Sequence, residues 1–265
     1  MAPPIITLTT DFGLRDPFVA IVKGVILGIC PGASLIDLTH EVARHDVREG
    51  GLALESAWRF FPVGSIHLAV IDPGVGTARR ALALSAGGHC FVGPDNGLFT
   101  FAIQQPGWVA VSIEAPRYRL SAVSQTFHGR DIFAPAAAHL ASGVPLERLG
   151  PPVADPIRRP LPSCRLEGDE LVGEVIGSDR FGNLVTSLAA DRIAALAPCG
   201  GVRVRVGSRE LGPLVETYAA GAPDVPSAII GSSGRLEIFV RNGSALALLR
   251  AACGTPVRLG KARET

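Results

Sequence analysis

Two rhythms of apolar residues alternate from the N-terminus to about residue 145. Short runs suited to strands, Ile5–Thr10, Ser34–Thr39 and Ile66–Ile71, are separated by longer runs with helical spacing, Pro17–Cys30 and Asp46–Phe60. In the first helical run Phe18, Ile21, Val22, Val25, Ile26 and Ile29 share one face, Pro17 suits the first turn and Asp16 suits the N-cap. Ala81–Ser85 and His89–Gly93 predict a short strand pair, and Asp131–Ala141 a further helix. Strand and helix alternating in this way predict an α/β N-terminal domain with a mainly parallel central sheet flanked by helices.

The rhythm then breaks. Pro145, Pro151, Pro152, Pro156, Pro160 and Pro162 interrupt a stretch with little periodicity, which predicts a linker over 151–168 between an α/β domain at 1–150 and a second domain at 169–265. Beyond it, Leu171–Ser178, Leu184–Ser187, Val202–Val206, Leu236–Val240, Ala245–Leu249 and Pro256–Leu259 predict short strands, with one helix at Ala189–Leu196. A smaller all-β domain, antiparallel and barrel-like, is the expectation.

Composition narrows the function. The chain has 265 residues, 47% of them hydrophobic, enough to build one large core or two medium ones. Its 25 basic and 24 acidic side chains nearly cancel, so no strong field would draw it to nucleic acid or to an anionic membrane. Five cysteines, Cys30, Cys90, Cys164, Cys199 and Cys253, stand far apart without a C-x-x-C pair, which argues against a disulfide framework or structural zinc and for a reducing, cytoplasmic setting. No signal peptide is expected, and the apolar stretch Phe18–Cys30 is too short, and too interrupted by Lys23, Gly24 and Gly28, to span a bilayer. Function is therefore expected in a local site.

Unusual residues gather where the strand-like runs end, the place where α/β proteins bind ligands. In Thr9-Thr10-Asp11-Phe12-Gly13-Leu14-Arg15-Asp16, Asp11 offers two acceptor oxygens to the hydroxyls of a ribose, although Asp11 and Asp16 equally suit turn and helix caps. Asp11-Phe12-Gly13 is also a kinase tripeptide, but no other kinase signature accompanies it. In Asp72-Pro73-Gly74-Val75-Gly76-Thr77-Ala78-Arg79-Arg80 a carboxylate and two guanidinium groups flank two glycines; Arg79 takes the third glycine's place, so the dinucleotide fingerprint fails. A ligand loop and a tight turn both fit. In Thr126-Phe127-His128-Gly129-Arg130-Asp131, His128 suits a proton acceptor near neutral pH or a structural histidine, and Asp131 suits a helix cap. Ser178-Asp179-Arg180-Phe181-Gly182-Asn183, Ser232-Ser233-Gly234 and Arg241-Asn242-Gly243 offer amides and an aromatic face to a base, or simply make turns. His40-Glu41 and His45-Asp46 match no metal-binding spacing, so no metal is expected. His67, His89 and His139 fall in strand or helix runs and read as structural.

Taken in order, Thr10-Asp11-Phe12-Gly13, Asp72-Pro73-Gly74-Val75-Gly76-Thr77 with Arg79, Gly93-Pro94-Asp95-Asn96-Gly97-Leu98, Phe127-His128-Gly129-Arg130-Asp131 and Asp179-Arg180-Phe181-Gly182-Asn183 closely resemble the S-adenosylmethionine hydroxide adenosyltransferase family. That family is related to the fluorinase and chlorinase enzymes, which attack the same carbon with halide. The resemblance implies hydrolysis of S-adenosyl-L-methionine at C5′ to adenosine and L-methionine without a further cofactor, with a catalytic triad on Asp72, Arg79 and His128. It also implies a homotrimer with sites shared between subunits. On that pattern Asp11 holds the ribose hydroxyls; Asn183, Arg241 and the backbone near Gly243 hold the adenine; Asp16, Asp179 and Ser232 hold the methionine end; Phe181 packs on the base.

Departures from the halide enzymes refine this. They carry a tyrosine where this chain has Asp72, and a carboxylate there would repel chloride or fluoride. Gly129 does not separate chlorinase from hydrolase, whereas fluorinase has a serine there. The long fluorinase insertion after the second glycine loop is missing, and Ser233 stands where fluorinase has an arginine. The sulfonium leaving group departs neutral, so the expected chemical burden is to deprotonate water. His128 suits that role, with Arg79 stabilising hydroxide and Asp72 orienting the water. A halogenase, a methyltransferase and a non-catalytic adenosylmethionine or nucleoside sensor are the competing readings.

Overall fold

The computed structural model describes residues 2–197 and 201–261, in two compact units divided between Leu161 and Pro162. The first unit runs β1 (Ile5–Thr10), α1 (Phe18–Ile29), β2 (Ser34–Thr39), α2 (Val47–Ala57), β3 (Ile66–Val70), β4 (Ala81–Ala86), β5 (His89–Pro94), α3 (Thr100–Ile103), β6 (Val109–Ser112) and α4 (Ala134–Ala141). Its six strands lie in the order β2-β1-β3-β5-β4-β6. The pairs β1–β2, β1–β3 and β3–β5 are parallel, while β4 runs antiparallel to both β5 and β6. Alternation along each strand feeds two cores, one per sheet face. Ile6, Leu8, Leu68 and Val70 pack with Val22 and Ile26 of α1 and Ala134–Ala138 of α4. Ala69, Ile71, Leu82 and Leu84 point the other way, toward Leu54, Trp58, Phe99 and Phe101.

Two helix starts differ from the sequence expectation. Pro17, with φ −75°, takes the N-cap of α1 without a side-chain cap bond, so the Asp16 side chain is not spent on the helix. Ahead of α4, Gly129–Phe133 forms a π-helical turn. Asp131 lies inside that turn, fully buried, and accepts from Ser124 N, Ser124 Oγ and Arg130 Nε. It braces the preceding loop instead of capping a helix. The proline-rich stretch runs partly along the first unit, where Val111 bridges to Pro152 and Asp155 pairs with Arg80.

The second unit comprises β7 (Arg165–Glu167), β8 (Glu170–Ser178), β9 (Leu184–Ala189), α5 (Ala190–Leu196), β10 (Val202–Val206), β11 (Arg209–Val215), β12 (Pro226–Ile230), β13 (Arg235–Val240), α6 (Ala245–Leu249) and β14 (Pro256–Lys261). The sheet order is β14-β10-β11-β12-β13-β9-β8-β7, and β14 pairs with β8 as well, so the largely antiparallel sheet curls back on itself. Only β11–β12 is parallel among the described pairs. Ala245–Leu249, expected as a strand, is helical: Ser244 Oγ accepts from Ala247 N at 3.1 Å, and Arg250 closes the turn in the left-handed region. Five apolar residues carry too little period to separate the two forms, and the cap decided the outcome. Cys199 lies outside the described residues; Cys30, Cys90, Cys164 and Cys253 are unpaired thiols. Among the described residues no helix is long and apolar enough to cross a membrane.

Inside the α2 face, Thr7 Oγ1 meets His67 Nδ1 at 2.8 Å and His67 Nε2 meets His89 Nδ1 at 3.2 Å, with Phe91 stacked on the His67 ring. Burial, together with the neighbouring His89, pushes the His67 pKa down to about 3. The unfolded chain takes up this proton near pH 6.5, so the stability is whole above that pH and is lost as pH falls toward 3, on the order of 4 kcal/mol at the acid end. His67→Gln, which cannot titrate, is expected to lose less stability than the wild type between pH 7 and pH 4 in urea unfolding. Equal losses would refute the assignment.

Candidate active site

The carboxyl ends of β1 and β3 and the loop before α4 surround a cavity of about 340 Å³. Its walls include Asp11, Phe12, Asp16, Phe18, Arg44, His45, Asp72, Thr126, Phe127 and His128. Such a size is within the range that holds a small organic ligand. Phe12, Phe18 and Phe127 meet edge to face with centroids 5.2–6.0 Å apart and make one apolar wall. Gly129 stands against it: a Cβ there would lie 3.3 Å from Phe12 Cζ and 3.4 Å from Phe127 Cε2, so a side chain at this position would crowd the Phe12 ring.

Asp11 is fixed by the backbone of His45, whose N–H donates to Asp11 Oδ2 at 2.8 Å. His45 adopts φ +65°, a left-handed conformation uncommon outside glycine. The other sequence candidates for metal ligation have local duties. Thr10 Oγ1 meets His40 Nδ1 at 2.8 Å, and Asp46 Oδ1 caps α2 by accepting from Glu49 N at 2.9 Å. Asp16, freed from capping, is exposed at the cavity rim.

Asp72, Arg79 and His128 converge. Arg79 Nε donates to Asp72 Oδ1 at 2.8 Å, Nη2 donates to Asp72 Oδ2, and Nη2 also lies 2.8 Å from His128 Nδ1. Within the loop, Val75 N bonds to Asp72 O and Thr77 N to Gly74 O, each at 3.2 Å. Gly76 has φ +77°, and a Cβ on it would fall 2.5 Å from Gln125 O, so only glycine lets this loop approach the segment leading to His128. Asp72 and His128 face the cavity, whereas Arg79 stands behind them with its side chain 10% exposed and its guanidinium 5.1 Å from the Phe133 ring. His128 immediately precedes the π-helical turn, an irregularity that often sits at functional sites.

An N–H donated by Arg79 requires Nδ1 to carry the lone pair, so the imidazole is neutral in this arrangement. Burial holds His128 below the ordinary histidine range, and the Arg79 charge lowers it further; Asp72 and Asp131 pull the other way without cancelling them. The ring is thereby kept neutral, with its one lone pair, on Nδ1, facing the Arg79 N–H.

The remaining sequence candidates cluster in the second unit. Asp179 Oδ1 accepts from Phe181 N and Asn183 N, each at 2.9 Å, and Oδ2 accepts from Asn183 Nδ2 at 2.8 Å. This bonding stiffens the β8–β9 loop and leaves the Phe181 ring 77% exposed. Gly182, with φ +79°, packs against Ser244, and Leu246 N bonds to Gly182 O at 2.9 Å, which brings the loop beside the turn holding Gly243. Arg241 Nη1 donates to Ala219 O at 3.2 Å. Ser232 is exposed in the β12–β13 turn. Tyr218, which the sequence did not single out, donates to Glu237 Oε2 at 2.9 Å; burial and the carboxylates of Glu237 and Asp179 push its pKa up to about 12. Arg44 of the first unit was missed as well, and His45 was weighed only as a metal ligand, not as a cavity residue. Their only local signal is their place just before the Asp46 cap, which says nothing about a cavity.

Comparison with known proteins agrees across the chain. Residues 6–150 match the SAM hydroxide adenosyltransferase N-terminal domain and residues 173–258 the corresponding C-terminal domain. An (R)-S-adenosyl-L-methionine hydrolase of Thermus thermophilus is 46% identical over 258 residues, covering 94% of this chain and 97% of that protein. One from Salinispora tropica is 42% identical over 264 residues, covering 98% and 99%. The crystal structure of an uncharacterized conserved protein from Thermotoga maritima superposes with a TM-score of 0.92 at 35% identity, covering 97% of this chain and 100% of that one. With both domains matched in order and full-length relatives at these identities, the chain belongs to the SAM hydroxide adenosyltransferase family.

Proposed function

We propose that this protein hydrolyses S-adenosyl-L-methionine, water attacking C5′ to give adenosine and L-methionine, and that its substrate has the (R) sulfonium configuration carried in the names of its relatives. The observation that carries the reading is the Asp72–Arg79–His128 convergence at the cavity wall. Three carboxylates in that wall, Asp11, Asp16 and Asp72, against one arginine, Arg44, suit a cationic sulfonium. In the reaction a water O–H bond breaks and its proton passes to His128 Nδ1, while the Arg79 guanidinium exchanges its contact with Nδ1 for the forming hydroxide. The hydroxide lone pair forms the C5′–O bond, and the C5′–S pair leaves with sulfur as a neutral thioether. The proton on His128 then returns to solvent. Asp72 orients the water, balances the imidazolium and disfavours halide. Asp11 takes the ribose hydroxyls and Asp16 the methionine end. In the second unit Asn183, Arg241 and the backbone at Gly243 take the adenine with Phe181 against it, and Asp179 and Ser232 the methionine end.

The decisive experiment is chromatography of each sulfonium epimer incubated with purified protein, with and without chloride. Adenosine and methionine in equal amounts are the expected products. 5′-Chloroadenosine would indicate a halogenase, S-adenosylhomocysteine a methyltransferase, and binding without turnover a sensor. A homotrimer belongs to the same proposal, supported by the exposed apolar residues Leu14, Phe18 and Ile21; light scattering on the same sample reads it. A cytoplasmic setting is consistent with the unpaired thiols.

A further inference from the structure

The Asp72–Arg79 loop is gripped at both ends by two adjacent residues of the β5–α3 turn. At its start, Asn96 Nδ2 donates to Ile71 O at 2.8 Å, one residue before Asp72. At its end, Asp95 Oδ2 accepts from Arg80 Nε at 2.8 Å, and Asp95 N donates to Arg80 O at 3.1 Å, one residue after Arg79. The Arg80 carbonyl also accepts from Arg79 Nη1 at 3.4 Å, so the group that Asp95 holds touches the Arg79 guanidinium itself. The turn is in its turn anchored. Asp95, 2% exposed, gives its other oxygen to Ile157 N at 2.7 Å. Arg159 Nε donates to Asn96 O at 2.7 Å, and Arg80 Nη1 reaches Asp155 Oδ1 at 2.7 Å.

We propose that Asp95 and Asn96 are positioning residues that set the span between Asp72 and Arg79 and so aim the guanidinium at His128. The inference rests on the reading of Asp72, Arg79 and His128 as the reacting group. Neither Asp95 nor Asn96 lines the cavity; they act through the loop ends. A ten-residue loop carrying two glycines has enough freedom to drift by an ångström once an end is released, and such a displacement costs about 10- to 100-fold in rate.

Asn96→Ala removes the amide that holds Ile71 O and leaves the buried Asp95 ion pair in place. It is expected to lower kcat about 10-fold or more with KM little changed. As Arg79 loosens from His128, the His128 titration followed by NMR should move to higher pH, because burial remains but the lowering by Arg79 weakens. In an Asp72→Asn/Arg79→Met background the same Asn96→Ala change should leave the residual rate unaltered, since there is no longer a pair to aim. A folded Asn96→Ala protein with unchanged kcat and unchanged His128 titration overturns the proposal. So does an equal loss of kcat in both backgrounds, which would mark a merely structural role. Failure of the wild type to release adenosine would sink the proposed function instead, and the NMR titration would still test the clamp.

Discussion

His128→Ala is expected to lower kcat by roughly 10²- to 10⁴-fold while substrate binding, read by calorimetry, stays within a few-fold of wild type. Of the three converging side chains only the His128 imidazole offers a nitrogen lone pair, and the leaving sulfonium supplies no proton transfer that could substitute. The folded protein should tolerate the change: His128 contacts Arg79 through one hydrogen bond, and Arg79 keeps both bonds to Asp72. In the wild type the acid limb of kcat/KM should fall below the ordinary histidine pKa of about 6.5, because burial and Arg79 hold the ring neutral. Near-normal turnover by the alanine variant would remove His128 as the base and leave Asp72 as the candidate.

Arg79→Met is expected to damage both stability and chemistry. It leaves the Asp72 carboxylate, whose side chain is 6% exposed, without its guanidinium, a loss of about 3–5 kcal/mol for a buried pair broken on one side. Asp72→Asn in addition should restore most of that stability, since the uncompensated charge is then gone. The sign of the pH effect follows from the charges around His128. Burial and Arg79 lower its pKa and Asp72 raises it, so removing Arg79 leaves burial alone to oppose the raising influence. A base works only when deprotonated, and the acid limb must therefore move to higher pH in Arg79→Met. A limb that stays in place, measured alongside urea midpoints for the single and double variants, would mean that Arg79 and His128 are not electrostatically coupled.

Neighbouring positions explain why some of this was legible in advance. The first helix could be read from its apolar spacing, of which Val22 and Ile26 are the positions the fold buries, because an apolar face at helical spacing has few other ways to be covered. Asp46 was legible as the start of the second helical run, and its side chain does cap α2. Asp16 and Asp131 have the same residue type and similar settings, yet neither caps: Pro17 takes the cap in one case, and the π-helical turn draws Asp131 into the core in the other. Single-residue preferences are worth about 1 kcal/mol, and packing of the cavity wall overrides them. Glu210, Gly212 and Pro213 interrupt the alternation of β11, and the five residues of β12, Pro226-Ser227-Ala228-Ile229-Ile230, carry no alternation at all, so neither strand was legible; their register comes from neighbouring strands.

By itself the sequence determined what depends on local period and residue type: the α/β unit before the curled antiparallel one, the two-faced cores, and a set of charged residues at strand ends. It also carried the ordered motifs on which the family rests. The tertiary structure decided which of those charges meet. Arg79 and His128 lie 49 residues apart and come within 2.8 Å because α4 and the turn before it pack on the face of β3 and the glycine loop after β3 closes on Gln125. It also put Arg79 behind Asp72 and His128 instead of in the cavity, and placed Asp95 and Asn96 at the two ends of the loop. No spacing along the chain encodes such contacts, since the order of strands in a sheet and the approach of one backbone to another arise from the burial of both faces at once.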